Sequence, residues 1–162
     1  MERIEVLDES GRPIGVMPRD EAHRRGLLHR CVHVFVLDPQ GQLWLQQRAM
    51  DRRLWPGLWT SSASGHVEAG EDEGFAAARE VEEELGLVLQ PRRVAEFRYR
   101  DEHENELASL WEGRTDAQPE PGPEVMAVRA VSRVALQAWM RAAPREFAPS
   151  FRAALRAYGW ES

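Results

Sequence analysis

Lysine is missing from this 162-residue sequence, and all 21 basic residues are arginine. Codon bias in a GC-rich genome accounts for that more simply than a functional demand. Cysteine is nearly missing as well. The single Cys31 excludes a disulfide framework and a four-cysteine zinc site, and it suits a reducing compartment. No stretch approaches the roughly 18 apolar residues that span a membrane. The opening MERIEVLDES lacks the apolar run of a signal peptide. Together these absences predict a cytoplasmic protein with no membrane partner. Positive charge is in short supply too. Acidic residues outnumber basic ones 27 to 21, a net charge of −6, which argues against nucleic acid as a partner. An acidic protein can still handle phosphates if a metal ion supplies the positive charge.

With 43% hydrophobic and 30% charged residues, the chain has the balance of a globular protein. Its length predicts one domain over 1–162 that buries roughly 70% of its unfolded surface. Within it, 1–27 should form an N-terminal hairpin and short helix, and 28–162 the core. Ile4–Leu7 and Pro13–Met17 flank the turn sequence Asp8-Glu9-Ser10-Gly11. Arg19–Gly26 reads as a short helix, and valine-rich Cys31–Leu37 as a buried strand. Gln42–Arg48 alternates as a half-buried strand, and Leu54–Trp59 reads as an ordered loop. Later strands are expected at Val94–Arg100, Glu104–Glu112 and Glu124–Val131, with a proline-rich loop at Thr115–Pro123. Helices are expected at about Asp72–Leu85 with Gly86 as stop, from the N-cap Ser132 through Ala142, and from Pro149 to Tyr158. Interspersed strands and helices with hairpin-like pairs fit α/β (α+β) architecture: a mixed sheet packed between helices.

The densest chemistry lies in Gly65-His66-Val67-Glu68-Ala69-Gly70-Glu71 and the helix after it. On a helical wheel Phe75, Ala78, Val81 and Leu85 share one side, and Glu80, Glu83 and Glu84 cluster nearly opposite. Their i, i+3, i+4 spacing brings three carboxylates within reach of one another. Left alone they repel, and a hard cation such as Mg²⁺ removes that repulsion. Gly65 and Gly70 permit a tight loop into the helix, and Arg79 can hold Glu71 or a neighbour.

This segment resembles the Nudix box. Gly65, Glu71, Arg79, Glu80, Val81, Glu83, Glu84, Gly86 and Leu87 match all nine specified positions of that pattern. The resemblance implies an α/β/α sandwich that hydrolyses a diphosphate linkage, usually in a nucleoside diphosphate derivative. It makes Glu80, Glu83 and Glu84 ligands of Mg²⁺, with Mn²⁺ a possible substitute. Glu71 and Arg79 become supports of loop and helix.

A second, looser resemblance runs over most of the chain. Leu28-His29-Arg30, the turn at Gly41, Gln47-Arg48-Ala49, Trp55–Thr60, Phe97–Arg100, Glu104-Asn105-Glu106 and Phe147-Ala148-Pro149 are similar to isopentenyl diphosphate isomerase, which shares the Nudix fold. That resemblance implies a second metal site from His66, Glu104, Glu106 and His29, with His23 matching only if one residue is skipped. It also makes Arg48 and Arg52 contacts for diphosphate. The isomerase needs a cysteine just before Gly-His, and here Ser64 occupies the place. A hydroxyl is a far weaker acid than a thiol, whose pKa is about 8.5. The complete box and Ser64 both point to a hydrolase of a small phosphorylated molecule. An isomerase and a non-catalytic nucleotide-binding module are the alternatives. The general base stays open among Glu83, Glu104 and Glu106. Trp55, Trp59 and Tyr99 are candidates to stack on a base. His33, alternating within a strand, reads as structural, and His103 has no pattern behind it.

Overall fold

The computed structural model describes residues 2–161, so Met1 and Ser162 of the expected span lie outside the described residues. Strands β1 (Arg3–Leu7) and β2 (Pro13–Pro18) form the N-terminal hairpin. Its turn closes on one carboxylate: Asp8 Oδ1 accepts from the Ser10 and Arg12 amides at 2.9 and 3.0 Å. Helix α1 (Arg19–Arg24) follows, with Gly26 just beyond it at φ +64°.

Strand β3 (His29–Leu37) is the hub of the sheet. It runs parallel to β8 (Asn105–Arg114) from His29 opposite Glu106 to Leu37 opposite Arg114. It also pairs antiparallel with β6 (Ala63–His66), and its ends touch β1 and β4 (Leu43–Arg48). Helices lie over both of its faces, so it has no wet side, which is why its sequence is a valine-rich run. Strand β7 (Arg92–Arg100) pairs antiparallel with β8. Strands β5 (Trp59–Thr60) and β9 (Val125–Val131) pair antiparallel with β4. Among the described residues the result is a nine-stranded mixed sheet.

Helices cover both faces. Val32, Val34 and Val36 of β3 pack with Ala76, Ala77, Val81 and Leu85 of α2 (Glu73–Leu85). Phe35 and Leu37 point the other way, into a core with Leu136 of α3 (Arg133–Ala142) and Phe151 and Leu155 of α4 (Pro149–Tyr158). Each such side chain contributes about 1.5–3 kcal/mol on burial. The expected sandwich, a mixed sheet between helices, is therefore what the chain forms. Ser132 and Gly86 cap where the sequence puts them, and Asp72, expected as the helix start, is the N-cap of α2. Asp72 accepts from the Phe75 amide, Ser132 from the Ala135 amide, and Gly86 and Gly159 close α2 and α4 in the left-handed region. Among the described residues, no helix is long and apolar enough to cross a membrane.

Two expectations are corrected. Residues 63–66 are a strand, not part of a loop leading to the helix. The wheel of α2 is turned: Phe75 is exposed, while Glu80 and Glu84 lie on the buried side with Val81 and Leu85. The apolar character of Phe75 misleads, because the helix turns its glutamates toward the sheet.

Candidate active site

Arg79 is the joint between the glycine loop and α2. Its Nε and Nη2 donate to the two oxygens of Glu71 at 2.7 and 2.9 Å, a bidentate pair. Nη2 also donates to the His66 carbonyl at 3.2 Å, and Nη1 to Glu80 Oε1 at 2.7 Å. Burial alone would raise the pKa of Glu71, but the Arg79 hydrogen bonds and the Glu68 amide hold it below the usual carboxylate range. These two residues therefore fix where the loop meets the helix.

Glu80 and Glu84 are buried at the end of that joint, and Glu83 is exposed beside them. Gln46 of β4 donates its Nε2 hydrogen to Glu84, and the Ser64 amide donates to the same oxygen at 3.3 Å. Burial pushes both buried carboxyls up, and Glu80 pushes Glu84 up further. Gly65 makes room for this cluster: a Cβ there would collide with the Glu80 carboxylate. Three carboxylates on one turn, two of them short of solvent, form an all-oxygen donor set that suits Mg²⁺.

A second set of donors faces the first. His23 of α1, His29 of β3 and His66 of β6 each bring a ring nitrogen within 4.8 Å of the others. His29 Nδ1 donates to the Leu27 carbonyl at 2.9 Å, which leaves Nε2 buried with no partner. His23 Nδ1 donates to the His103 carbonyl at 3.3 Å, and its Nε2 faces His66 Nε2 at 2.7 Å. These proton positions follow from the acceptors present. Burial holds the pKa of all three rings down, His66 most of all because His29 and His23 add to the effect. A lowered pKa favours the neutral imidazole, the form that binds metal. The orphaned Nε2 of His29 fits a cation held there.

Glu106, at the start of β8, is buried, and Glu104 lies just outside the strand. Trp55 Nε1 donates to Glu104 Oε2 at 3.4 Å. Burial, then the charge of Glu106, pushes Glu104 up to about 8. Burial would raise Glu106 as well, but His33, with Nε2 3.5 Å from Glu106 Oε1, holds it down. Arg48 Nε donates to the Leu54 carbonyl at 2.8 Å, and Arg52 pairs with Glu124 at 3.0 Å.

One cavity of about 350 Å³ joins most of these groups. Glu80, Glu83, Glu84, Glu104, Glu106, His66, Arg48 and Arg52 all line it, whereas His29 and Glu71 are not in its wall. The structure adds His23, Arg19, Arg53 and Ser64 to the wall. His23 was legible only through a gapped resemblance, because helix α1 carries it to His66 from 43 residues away. Tyr99 is a correction. It is not in the cavity wall; its hydroxyl donates to Asp101 at 2.6 Å, and Asp101 accepts the Glu104 amide at 2.8 Å. The competition for its hydroxyl turns Tyr99 into a brace for the Glu104 loop. Trp59 also lies elsewhere, packed against Trp139.

The sequence and the fold both have known relatives. Residues 27–151 match the family model for the NUDIX domain. The chain is 37% identical over 154 residues to the isopentenyl-diphosphate Delta-isomerase of Nocardia farcinica, a match that spans 90% of this chain and 88% of that one. Over 90 residues it is 47% identical to Nudix hydrolase 3 of Arabidopsis thaliana, covering 54% of this chain but 12% of that much longer protein. The crystal structure of a Deinococcus radiodurans protein superposes with a TM-score of 0.81 at 27% identity, covering 97% of this chain and 99% of that one. The chain thus belongs to the Nudix family, in its isopentenyl diphosphate isomerase-like branch.

Proposed function

We propose that this protein is a metal-dependent hydrolase that cleaves the diphosphate linkage of a nucleoside di- or triphosphate or a derivative. The observation that carries the reading is Ser64 on the cavity wall, where the isomerases of this branch need a cysteine. Moving a carbon–carbon double bond demands a proton donor that a serine hydroxyl does not supply near neutral pH. Cys31 also lines the cavity, but it stands on β3 opposite His66 and not at the position that the isomerase resemblance gives to the acid. Hydrolysis needs no such acid on carbon.

Glu80, Glu83 and Glu84 would hold Mg²⁺, or Mn²⁺ in its place, and the histidine cluster with Glu104 and Glu106 a second cation. When bound, such a cation neutralises phosphate charge and lowers the pKa of an attacking water. The chain's own residues do the remaining work. Arg48 and Arg52 grip the phosphate oxygens. Glu71 and Arg79 keep the loop and helix in register. A carboxylate among Glu83, Glu104 and Glu106 accepts the proton of the water that attacks phosphorus.

The isomerase reading has two observations in its favour, the 37% identity to the Nocardia farcinica enzyme over 90% of the chain and the meeting of His23, His29 and His66 that the isomerase resemblance implies. A screen decides between the two readings. Nucleoside di- and triphosphates, nucleotide sugars and dinucleotides are each incubated with the protein and Mg²⁺ or Mn²⁺, and the released phosphate, pyrophosphate or mononucleotide is measured. Isopentenyl diphosphate is run beside them and assayed for the allylic isomer. Cleavage of at least one nucleotide with no isomer is the expected result. Isomer formation with no hydrolysis of any nucleotide would contradict it.

A further inference from the structure

His33 lies on the face of β3 that also carries Phe35, yet it is a polar ring, and it is almost fully buried. Buried polar groups belong where both ends find partners. Here Nδ1 lies 2.9 Å from Ser61 Oγ and Nε2 lies 3.5 Å from Glu106 Oε1. Phe97 packs edge-on against the ring at 5.3 Å, which limits its rotation. An ionised carboxylate can only accept, so Nε2 carries the hydrogen and Nδ1 accepts from Ser61. Ser61 has no exposed surface, so the row Ser61–His33–Glu106 is no nucleophile–base–acid triad. It starts behind the cavity, and its other two members, His33 and Glu106, line the wall.

We infer that His33 is a positioning residue, and that Ser61, by fixing its tautomer, makes it aim the Glu106 carboxylate at the metal-binding side of the cavity. The inference rests on the proposed reading only in treating Glu106 as part of a cation site. Groups that hydrogen-bond to a metal's carboxylate orient it, and their loss weakens metal binding without touching the ion.

The test uses the full chain, stripped with a chelator, and Mn²⁺ alone as the probe in a calorimetric titration. His33→Asn keeps a polar group near Ser61 but is too short to reach Glu106. His33→Gln carries an amide hydrogen to the place of Nε2. Mn²⁺ affinity is expected to fall about 10–100-fold in His33→Asn and to recover to within about threefold of wild type in His33→Gln. Wild-type affinity in His33→Asn would overturn the assignment. So would a loss in His33→Gln as large as that in His33→Asn, or a wild type that binds no Mn²⁺. Circular dichroism melts establish that the variants fold. If either does not, Ser61→Ala decides, with an expected loss of about three- to tenfold and an unchanged affinity as the contrary result. No substrate enters the titration. Failure to hydrolyse any nucleotide would count against the proposed function and leave this assignment standing.

Discussion

At the scale of single residues, Glu84 bears the most conflict. Its carboxylate is buried beside Glu80, and its hydrogen-bond partners are the Gln46 amide and the Ser64 backbone. Without a cation, a charge there costs stability. Glu84→Gln should therefore melt no lower than wild type in chelator, while turnover with saturating Mg²⁺ falls by about 100-fold or more. Loss of both stability and turnover would mark Glu84 as a structural residue. Arg79 makes the opposite prediction. Its bidentate bond to Glu71 and its bond to the His66 carbonyl join loop to helix. Arg79→Met should lower stability by about 2 kcal/mol in denaturant melts, since hydrogen bonds to charged groups contribute about 1.5–3 kcal/mol each when buried and less when partly exposed. An unchanged midpoint would mean that the joint is held by other contacts.

At the scale of elements, the site is a meeting of β6 and α2. The strand reads Ala63-Ser64-Gly65-His66, small residues with no β-branched side chain, which hides it from any pattern of strand propensity. The smallness has a cause in the packing. Gly65 faces the Glu80 carboxylate so closely that a methyl group has no room. Gly65→Ala should cut Mg²⁺-dependent turnover by about tenfold or more by displacing Glu80, with the helix content by circular dichroism unchanged. Full activity would show that α2 can shift to accept the methyl. The same elements show what sequence could and could not reveal. The C-terminal end of α2 was legible because Gly86 carries cap chemistry, and β3 because a run of valines fits a buried strand. The orientation of α2 was not legible. A wheel assumes that glutamates face water and Phe75 the core, and a carboxylate site reverses both. The box glutamates were found by their spacing. The histidine cluster was only half found, since a strand, a second strand and a short helix supply one ring each. His33 was read as structural, and its contact with Glu106 spans 73 residues. Such contacts depend on how β3, β5 and β8 come together, and no local pattern contains that.

At the scale of the whole molecule, the sandwich brings two kinds of donor to one cavity, carboxylates from α2 and imidazoles from the N-terminal half. The first suits hard cations, while imidazole with carboxylate suits Mn²⁺ and its transition-metal neighbours. Turnover should therefore vanish in chelator and return with Mg²⁺ or Mn²⁺; activity that persists in chelator would contradict a metal-dependent reaction. The central claim is that this cavity adds water to phosphorus and does not move protons on carbon. One experiment reads both events at once. The protein, with Mg²⁺ and Mn²⁺, is given a nucleoside diphosphate and isopentenyl diphosphate together in D₂O enriched in ¹⁸O, and the products are analysed by mass spectrometry. The account predicts ¹⁸O in one of the two hydrolysis products, the mononucleotide or the released phosphate, and no deuterium in the five-carbon chain. Deuterium in that chain, with both of those products free of ¹⁸O, would contradict it.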